Sequence, residues 1–159
     1  MQHVSFGYGN AAAFIGREIG VSDWREVSQA MIDAFAACTG DDQWIHVDVE
    51  RARRESPYRA PVAHGFLSLA LIPVLAYEIG LLPEGTHASV NYGLDKVRFL
   101  APVKAGARVR LHARLAEFSP REGGRWLMKT INTLEIEDEP RSALIAEALA
   151  LLTPAGAGA

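Results

Sequence analysis

An acid and an imidazole, Asp41 and His46, lie five positions apart in the segment that follows Gly40. A carboxylate and an imidazole that reach one water can hold it by two hydrogen bonds. One group can then accept its proton, while the other orients the water or returns a proton to carbon. The imidazole suits this task because its unperturbed pKa lies near neutrality. Asp41 and His46 are therefore the candidate catalytic pair.

A His-Gly pair, His64 and Gly65, opens the longest apolar segment of the chain. If that segment is a helix, its first backbone N–H groups have no internal acceptor and lie at the positive end of the helix dipole. A glycine there lets a carbonyl group approach the backbone closely, as an oxyanion hole requires. Gly65 is thus the candidate group that polarises an electrophile.

Three other chemistries are weaker. A metal site built from His46, Asp48 and His64 lacks the paired His-x-x-x-His spacing of a typical zinc helix, so we expect no metal. A serine hydrolase using Ser68 lacks the Gly-x-Ser-x-Gly turn. The only cysteine, Cys38, falls in the last turn of a predicted helix, where the dipole disfavours a thiolate.

Short elements should position the acid and the imidazole. Ser28 can cap a helix over residues 29–38 that ends before Gly40, and Asp48 can cap another helix that runs to about Arg54. Residues 20–24 resemble a short edge strand. The first helix then delivers Asp41 to a loop, where side chains can face a cleft.

A central helix is predicted from His64 to about Leu82, with a kink at Pro73 because proline removes one backbone donor. The segment is apolar on nearly all sides, so it must be enclosed by something. From Thr86 the apolar period changes to two, which predicts four strands at about residues 88–100, 108–115, 126–137 and 142–152. Helices followed by an antiparallel sheet indicate the α+β class, with the sheet curled around the central helix.

The bulk composition of the 159-residue chain suits one soluble domain, which we place at residues 1–154. We expect the Gly/Ala tail at 155–159 to be disordered. A net charge of -3 provides no electrostatic footprint for nucleic acid. One cysteine excludes an internal disulfide, and the start has neither the basic nor the apolar region of a secretion signal. Residues 65–82 carry Pro73 and Glu78 and are too short to span a membrane. We expect a cytoplasmic protein.

The motifs, taken together and in this order, resemble the MaoC-like dehydratases, specifically the branch near the nodulation protein NodN. The resemblance covers residues 14–152 and is carried by these blocks: Gly40-Asp41-x-Gln43-Trp44-Ile45-His46-x-Asp48, Ala63-His64-Gly65-Phe66-Leu67-Ser68-Leu69, Asn91-Tyr92-Gly93-Leu94-x-Lys96-Val97-Arg98-Phe99, and Pro102-Val103-x-x-Gly106. It implies the hotdog fold, a long helix wrapped by a curved antiparallel sheet. The implied reaction is (R)-specific hydration of trans-2-enoyl-CoA, or the reverse dehydration of (3R)-3-hydroxyacyl-CoA.

The resemblance also implies roles for residues. Asp41 and His46 become the catalytic pair, and the Gly65 N–H polarises the thioester carbonyl. Substrate binding is assigned to Trp44, His64, Asn91, Lys96 and Arg98. Coenzyme A is part of the substrate, no separate cofactor is implied, and an acyl-carrier-protein thioester is the other possible substrate. A homodimer is implied, with coenzyme A across the dimer seam.

Two positions depart from the commoner family pattern. Gln43-Trp44 replaces Asn-Pro before the Ile-His step, and Trp44 could narrow or reshape the acyl entrance. Pro73 stands about where several relatives have a serine, so this chain offers no hydroxyl at that position. The catalytic pair itself is intact.

Two rival functions stay open at this point: hydrolysis of an acyl-CoA thioester on the same fold, and non-catalytic binding of an acyl thioester. For the coenzyme A phosphates the candidate residues are Lys96, Arg98 and Lys104, or the cluster Arg51, Arg53 and Arg54. An ordinary solvated face explains either group at least as well.

Overall fold

The computed structural model describes residues 6–156. Within that range the α-helices are α1 (Gln29–Thr39), α2 (Trp44–Val47), α3 (Val49–Glu55) and α4 (Gly65–Glu78). The strands are β1 (Glu18–Val21), β2 (Arg25–Glu26), β3 (Thr86–Phe99), β4 (Arg108–Pro120), β5 (Trp126–Ile136) and β6 (Leu144–Pro154). Short 3-10 helices cover Ala11–Phe14 and Glu122–Gly124.

The strands form one antiparallel sheet in the order β1-β4-β5-β6-β3, with β2 also paired to β4. Helix α4 packs on β4, β5 and β6. Leu71 and Leu75 of α4 share one core with Leu111 of β4 and Leu134 of β5. The predicted α+β class and the four predicted long strands are confirmed. Burial alternates along β4 and β5, whereas β3 is exposed over most of its length. The predicted edge strand at 20–24 is split into β1 and β2, which straddle that segment.

Helix α1 begins and ends as its sequence indicates. The Ser28 hydroxyl accepts from Met31 N–H at the start, and Gly40 adopts a left-handed φ of 80° at the end. Such a φ is costly for residues with a Cβ, so glycine stops the helix there. The loop that carries Asp41 therefore leaves α1 in a direction set by Gly40.

Helix α3 is capped as predicted, because a carboxylate oxygen of Asp48 accepts from Arg51 N–H at 2.9 Å. The sequence analysis did not predict α2, a single turn that contains His46. Four residues carry too little periodicity to be recognised as a helix. This turn aims the imidazole, as described below.

The central helix α4 ends at Glu78, four residues earlier than predicted. Gly80 has a left-handed φ of 66°, and Leu81 N–H donates to Ala76 O at 3.0 Å. This glycine-ended motif satisfies the last carbonyl groups and turns the chain toward β3. Pro73 lies inside the helix, which continues through it, and the kink stays a prediction.

Within residues 6–156 the sheet covers only part of the surface of α4. Phe66 and Tyr77 of α4 are 69% and 59% exposed, while Leu67, Leu71 and Leu75 are buried against the sheet. On the edge strand β3, Val90 and Tyr92 are 64% and 65% exposed. The chain thus leaves an apolar face on α4 and β3 open, because its sheet covers only one side of the helix.

No helix within residues 6–156 is long and apolar enough to cross a membrane. Of the predicted disordered tail, residues 157–159 lie outside the described part of the chain. Ala155 is described, and its N–H donates to Gly85 O at 2.7 Å, which extends the contact of β6 with β3.

Candidate active site

The His46 ring is held by the backbone of the segment that leads into α4. Its Nδ1 lies 2.6 Å from Val62 O. A carbonyl can only accept, so Nδ1 carries the proton and Nε2 keeps its lone pair. Val62 N–H in turn donates to Ile45 O at 3.2 Å, and Gln29 Nε2 of α1 donates to His46 O at 2.8 Å. His46 is therefore oriented with a basic nitrogen available.

His64 lies directly behind the candidate pair. Its ring stacks on that of His46, with centroids 3.8 Å apart and an angle of 27° between the planes. Its Nε2 donates to the backbone oxygen of Asp41 at 2.8 Å, and its other face meets Phe35 at 5.0 Å between centroids. His64 is only 2% exposed, and within residues 6–156 its Nδ1 has no hydrogen-bond partner.

Asp41 is the exposed member of the group and reaches the site because its backbone is tied down. Besides the bond to His64, Asp41 N–H donates weakly to Thr39 Oγ1 at 3.4 Å. A carboxylate oxygen of Asp41 and one ring nitrogen each of His46 and His64 lie within 4.8 Å of one another. The predicted catalytic acid and imidazole are thus brought together, and His64 contacts both of them.

The same three residues are the set that could best surround a metal ion, yet their geometry is poorly suited to one. Imidazole lone pairs lie in the ring plane, so the two stacked rings direct theirs side by side instead of toward a common point. Asp48, which the sequence suggested as a ligand, instead caps α3. The arrangement is better suited to hydrogen bonding a water molecule than to coordinating a metal ion.

Gly65 is the first residue of α4, and within the described chain its N–H donates to no backbone oxygen. A Cβ at this position would lie 3.0 Å from a Phe99 ring carbon, closer than carbon atoms normally approach. Gly65 and Phe99 line a cavity of about 270 Å³ together with Ser68 and Tyr58. Gly65 therefore combines an N–H that has no backbone acceptor in the described chain with a position on the cavity wall, where a side chain would meet Phe99.

A larger cavity of about 550 Å³ lies between α4 and the sheet. Its wall is mainly apolar and includes Phe66, Pro73 and Ala76 of α4 and Met128 of β5. Asp41, His46 and Gly65 do not line it. Phe35 does, and its ring contacts His64. The cavity is thus linked to the candidate pair through two residues, Phe35 and then His64.

The residues predicted to bind substrate are dispersed. Asn91 of β3 lines the larger cavity. Trp44 lines neither cavity, and the Arg51 guanidinium lies over its ring at 4.3 Å from the centroid. His64 donates a hydrogen bond to the backbone oxygen of Asp41 and is almost fully buried. An effect of Trp44 on the acyl entrance therefore stays a prediction.

Some of the candidate phosphate-binding cations form ion pairs with carboxylates of the chain and others do not. Lys96 pairs with Glu147 at 3.3 Å, and hydrogen bonding from Lys129 holds the pKa of that carboxyl below its usual range. Arg51, Arg53 and Arg54 each pair with Glu50 or Glu55. Arg98 and Lys104 make no ion pair within residues 6–156, and they adjoin Phe99 and Val103 of the smaller cavity.

Comparison with known protein families decides the identity of the chain. Residues 10–135 match the family described as the MaoC like domain. The chain belongs to this MaoC-like family. The family predicted from the sequence is confirmed.

Curated MaoC-like relatives match most of the chain. The 3-hydroxyacyl-thioester dehydratase Z of Mycobacterium tuberculosis is 41% identical over 138 residues, which cover 87% of this chain and 90% of the relative. Nodulation protein N of Rhizobium leguminosarum bv. viciae is 45% identical over 140 residues, covering 87% and 86%. The expected NodN-like relationship is confirmed.

Solved MaoC-like structures confirm the hotdog fold. The R-hydratase PhaJ1 from Pseudomonas aeruginosa superposes with a TM-score of 0.69 at 24% identity, covering 95% of this chain and 87% of the other. The (R)-hydratase from A. caviae gives 0.68 at 20% identity, covering 86% and 94%. At these identities the likeness concerns the fold alone.

Sequence reasoning missed several residues of this MaoC-like site. Gln29, which fixes the backbone at His46, was assigned only to a helix, and Phe35 only to its inner face. Thr130 and Asn132 of β5 are buried polar residues on the cavity wall. Two polar residues at alternate positions within an otherwise apolar strand face were a usable signal for that pair.

Proposed function

We propose that the protein catalyses (R)-specific hydration of a trans-2-enoyl thioester to the (3R)-3-hydroxyacyl thioester, or the reverse dehydration. The observation that carries this proposal is the His46 imidazole, with Nδ1 bound to Val62 O and Nε2 free, in one cluster with Asp41. The dehydratase relatives support a lyase, the enzyme class expected from the sequence.

In the hydration direction, a water lies between the Asp41 carboxylate and His46 Nε2. One group takes a proton from the water as its oxygen bonds to C3 of the enoyl group. The electrons of the C2–C3 double bond move onto the thioester oxygen. The enolate then collapses as C2 receives a proton from the site, so the product gains one water in total.

The charge that develops on the thioester oxygen needs a donor that does not move during the reaction. Gly65 N–H meets this need, since it heads α4 with no internal acceptor, and the helix dipole favours negative charge there. The missing side chain at Gly65 keeps the approach to the N–H open. The acyl chain then occupies the 550 Å³ cavity, which adjoins the site at Phe35 and Phe66.

The thioester carrier in this proposal is coenzyme A or an acyl carrier protein, whose shared phosphopantetheine arm bears phosphate. Arg98 and Lys104 suit the phosphates better than Lys96, because no carboxylate in the described chain neutralises them. Their neighbours in sequence, Phe99 and Val103, line the cavity that Gly65 lines. Coenzyme A serves here as part of the substrate.

The test is to follow the loss of enoyl-thioester absorbance when purified protein is added to crotonyl-CoA and longer trans-2-enoyl-CoA homologues. Hydration of at least one homologue, with a product of R configuration by chiral chromatography, is expected. A thiol reagent in parallel detects free coenzyme A, and release of thiol in place of hydration would establish a thioesterase. Thioester binding by calorimetry without turnover at any chain length would establish a non-catalytic binding protein.

His64 has the role of a positioning residue in this proposal. His64→Phe keeps a ring to stack on His46 but removes the bond to Asp41 O. We expect kcat to fall about fivefold, as for loss of a hydrogen bond that contributes roughly 1 kcal/mol to ordering a catalytic loop. KM should change little, because the His64 side chain faces the backbone of Asp41 and not the cavities.

A matched control is His87→Phe, which alters an exposed histidine on β3. His64→Gln, which retains a side-chain donor, should recover part of kcat. Steady-state kinetics with melting temperatures for all three variants measure the effect. Wild-type kcat in folded His64→Phe would remove His64 from the mechanism.

The open apolar face of α4 and β3 supports the proposal that the chain forms a homodimer. An exposed patch of this kind usually marks an interface, and β3 leaves one edge of the sheet unpaired within residues 6–156. A second copy placing its own β3 alongside would cover both features. Coenzyme A would then lie across the seam.

Val90→Glu puts a charge on the exposed edge strand without touching either cavity. We expect the wild type to sediment as a dimer and Val90→Glu to sediment as a folded monomer, since an unpaired charge at an apolar interface is costly. Ile15→Glu, a similar change at a 45% exposed position outside this face, should stay dimeric. A monomeric wild type at assay concentration would refute the dimer.

A further inference from the structure

Two buried polar side chains interrupt the apolar wall of the 550 Å³ cavity. Thr130 and Asn132 follow one another on the inner face of β5 and are 4% and 0% exposed. The residues opposite Asn132 on the two neighbouring strands are Ala113 and Ala146, both small. A wall that contacted only hydrocarbon would gain free energy from apolar residues at such positions.

The hydrogen bonds of this pair are incomplete in a specific way. Asn132 Nδ2 lies 2.8 Å from Thr130 Oγ1, 3.3 Å from Thr130 O and 3.4 Å from Ala146 O, so its N–H groups are fully engaged. These acceptors identify that atom as the nitrogen. Asn132 Oδ1 is buried and has no donor within the described part of the chain.

Thr130 complements the free oxygen. Its Oγ1 accepts from Asn132, which leaves the hydroxyl hydrogen of Thr130 able to donate. The pair therefore offers one acceptor and one donor next to each other. A hydroxyl group, which donates once and accepts, matches this arrangement, whereas an alkyl chain leaves Oδ1 unpaired at a cost of about 1–3 kcal/mol.

We propose that the cavity selects an acyl chain that carries a hydrogen-bond donor, a hydroxyl group in the simplest case, at the depth of Asn132 and Thr130. The substrate class is thus an oxygenated enoyl thioester. This inference rests on the proposed function insofar as the cavity holds the acyl chain. Specificity of this kind is strong, because a site that pairs a buried polar group with a substrate hydroxyl rejects the analogue that lacks it.

The experiment compares two ladders of thioesters with equal carbon counts. One ladder holds straight-chain trans-2-enoyl-CoA compounds and the other their terminally hydroxylated counterparts. The ratio of kcat/KM, hydroxylated over plain, should pass through one maximum of about tenfold at the length that brings the hydroxyl to Asn132. Dissociation constants of the matching saturated acyl-CoA pairs, by calorimetry, should show the same maximum.

Variants assign the effect to these residues. Asn132→Leu and Thr130→Val should each lower the maximum of the kcat/KM ratio toward one. Two variants are used so that the test still holds if one of them fails to fold. Met128→Leu changes an apolar residue on the same strand and the same wall, and it should leave the ratio unchanged.

The readouts separate the two proposals. If the hydroxylated and plain thioesters give equal kcat/KM and equal affinity at every length, the inference is overturned. The proposed function still stands in that case, provided that the plain series is hydrated. A water held permanently by Asn132 would give this result. Selective binding of hydroxylated chains without any hydration sustains the inference and overturns the proposed function.

Discussion

Asp41→Asn and His46→Ala are each expected to lower kcat for hydration by about 10²–10⁴-fold while leaving the fold intact. This is the usual range for loss of a positioned general acid or base. Asp41 is exposed and its carboxylate makes no hydrogen bond in the described chain, so the change costs little stability. His46 is half-buried, and its loss frees the Val62 carbonyl.

The chain offers a stringent control at the neighbouring position. Asp42→Asn removes the same charge from an equally exposed carboxylate one residue away. Asp42 lies outside the cluster of Asp41, His46 and His64. We expect near wild-type kcat for it. If Asp42→Asn and Asp41→Asn lose activity equally, the effect is one of general surface charge, and the proposed pair is wrong.

The combined variant Asp41→Asn/His46→Ala provides a further check. Two groups that act on the same water form one unit, and removing the second after the first should cost little more. Multiplicative losses would indicate that the two side chains act on different steps. Circular dichroism and melting temperature for each variant separate loss of chemistry from loss of structure.

Gly65→Ala is expected to lower kcat by about 10²-fold, a loss typical of a reacting group displaced by about 1 Å. The new methyl group would lie 3.0, 3.1 and 3.2 Å from three ring carbons of Phe99. It would also stand where the thioester oxygen must approach the Gly65 N–H. The ring can move by a few tenths of an ångström, so the protein should still fold.

Phe99→Leu in the Gly65→Ala background distinguishes these two effects. If the methyl group blocks the thioester, the double variant recovers melting temperature but not kcat. Recovery of both would show that only crowding of Phe99 mattered, and the oxyanion role would fall. Gly9→Ala is the matched control, because a Cβ there meets nothing within 4 Å and the backbone is not left-handed.

Much of the scaffold could be predicted because its signals are local. Ser28, Gly40 and Asp48 end or begin helices through contacts within a few residues, and the period of two from Thr86 onward predicts strands without knowledge of their partners. The helix ending at Glu78 was misjudged, since Gly80 was read as part of an apolar run when its left-handed φ terminates it.

The apolar character of α4 predicted that the helix would be enclosed, without specifying what would enclose it. It correctly predicted a helix against the sheet, but it could not say how many faces this chain would cover. Phe66 and Tyr77 are exposed because the sheet packs on one side only. Coverage of a surface depends on the curvature of the sheet and on neighbouring chains, neither of which is encoded by periodicity.

The sequence by itself determined the family, the class of fold and the identity of Asp41, His46 and Gly65 as candidates, because the residue types and their order along the chain carry that information. Only the tertiary structure decided that His64 stacks on His46 and bonds to Asp41, and that Asn132 lines the cavity while its buried side-chain oxygen has no donor in the described chain. These relations join residues distant in sequence. They follow from how α1, α4 and β5 pack, which no local pattern specifies.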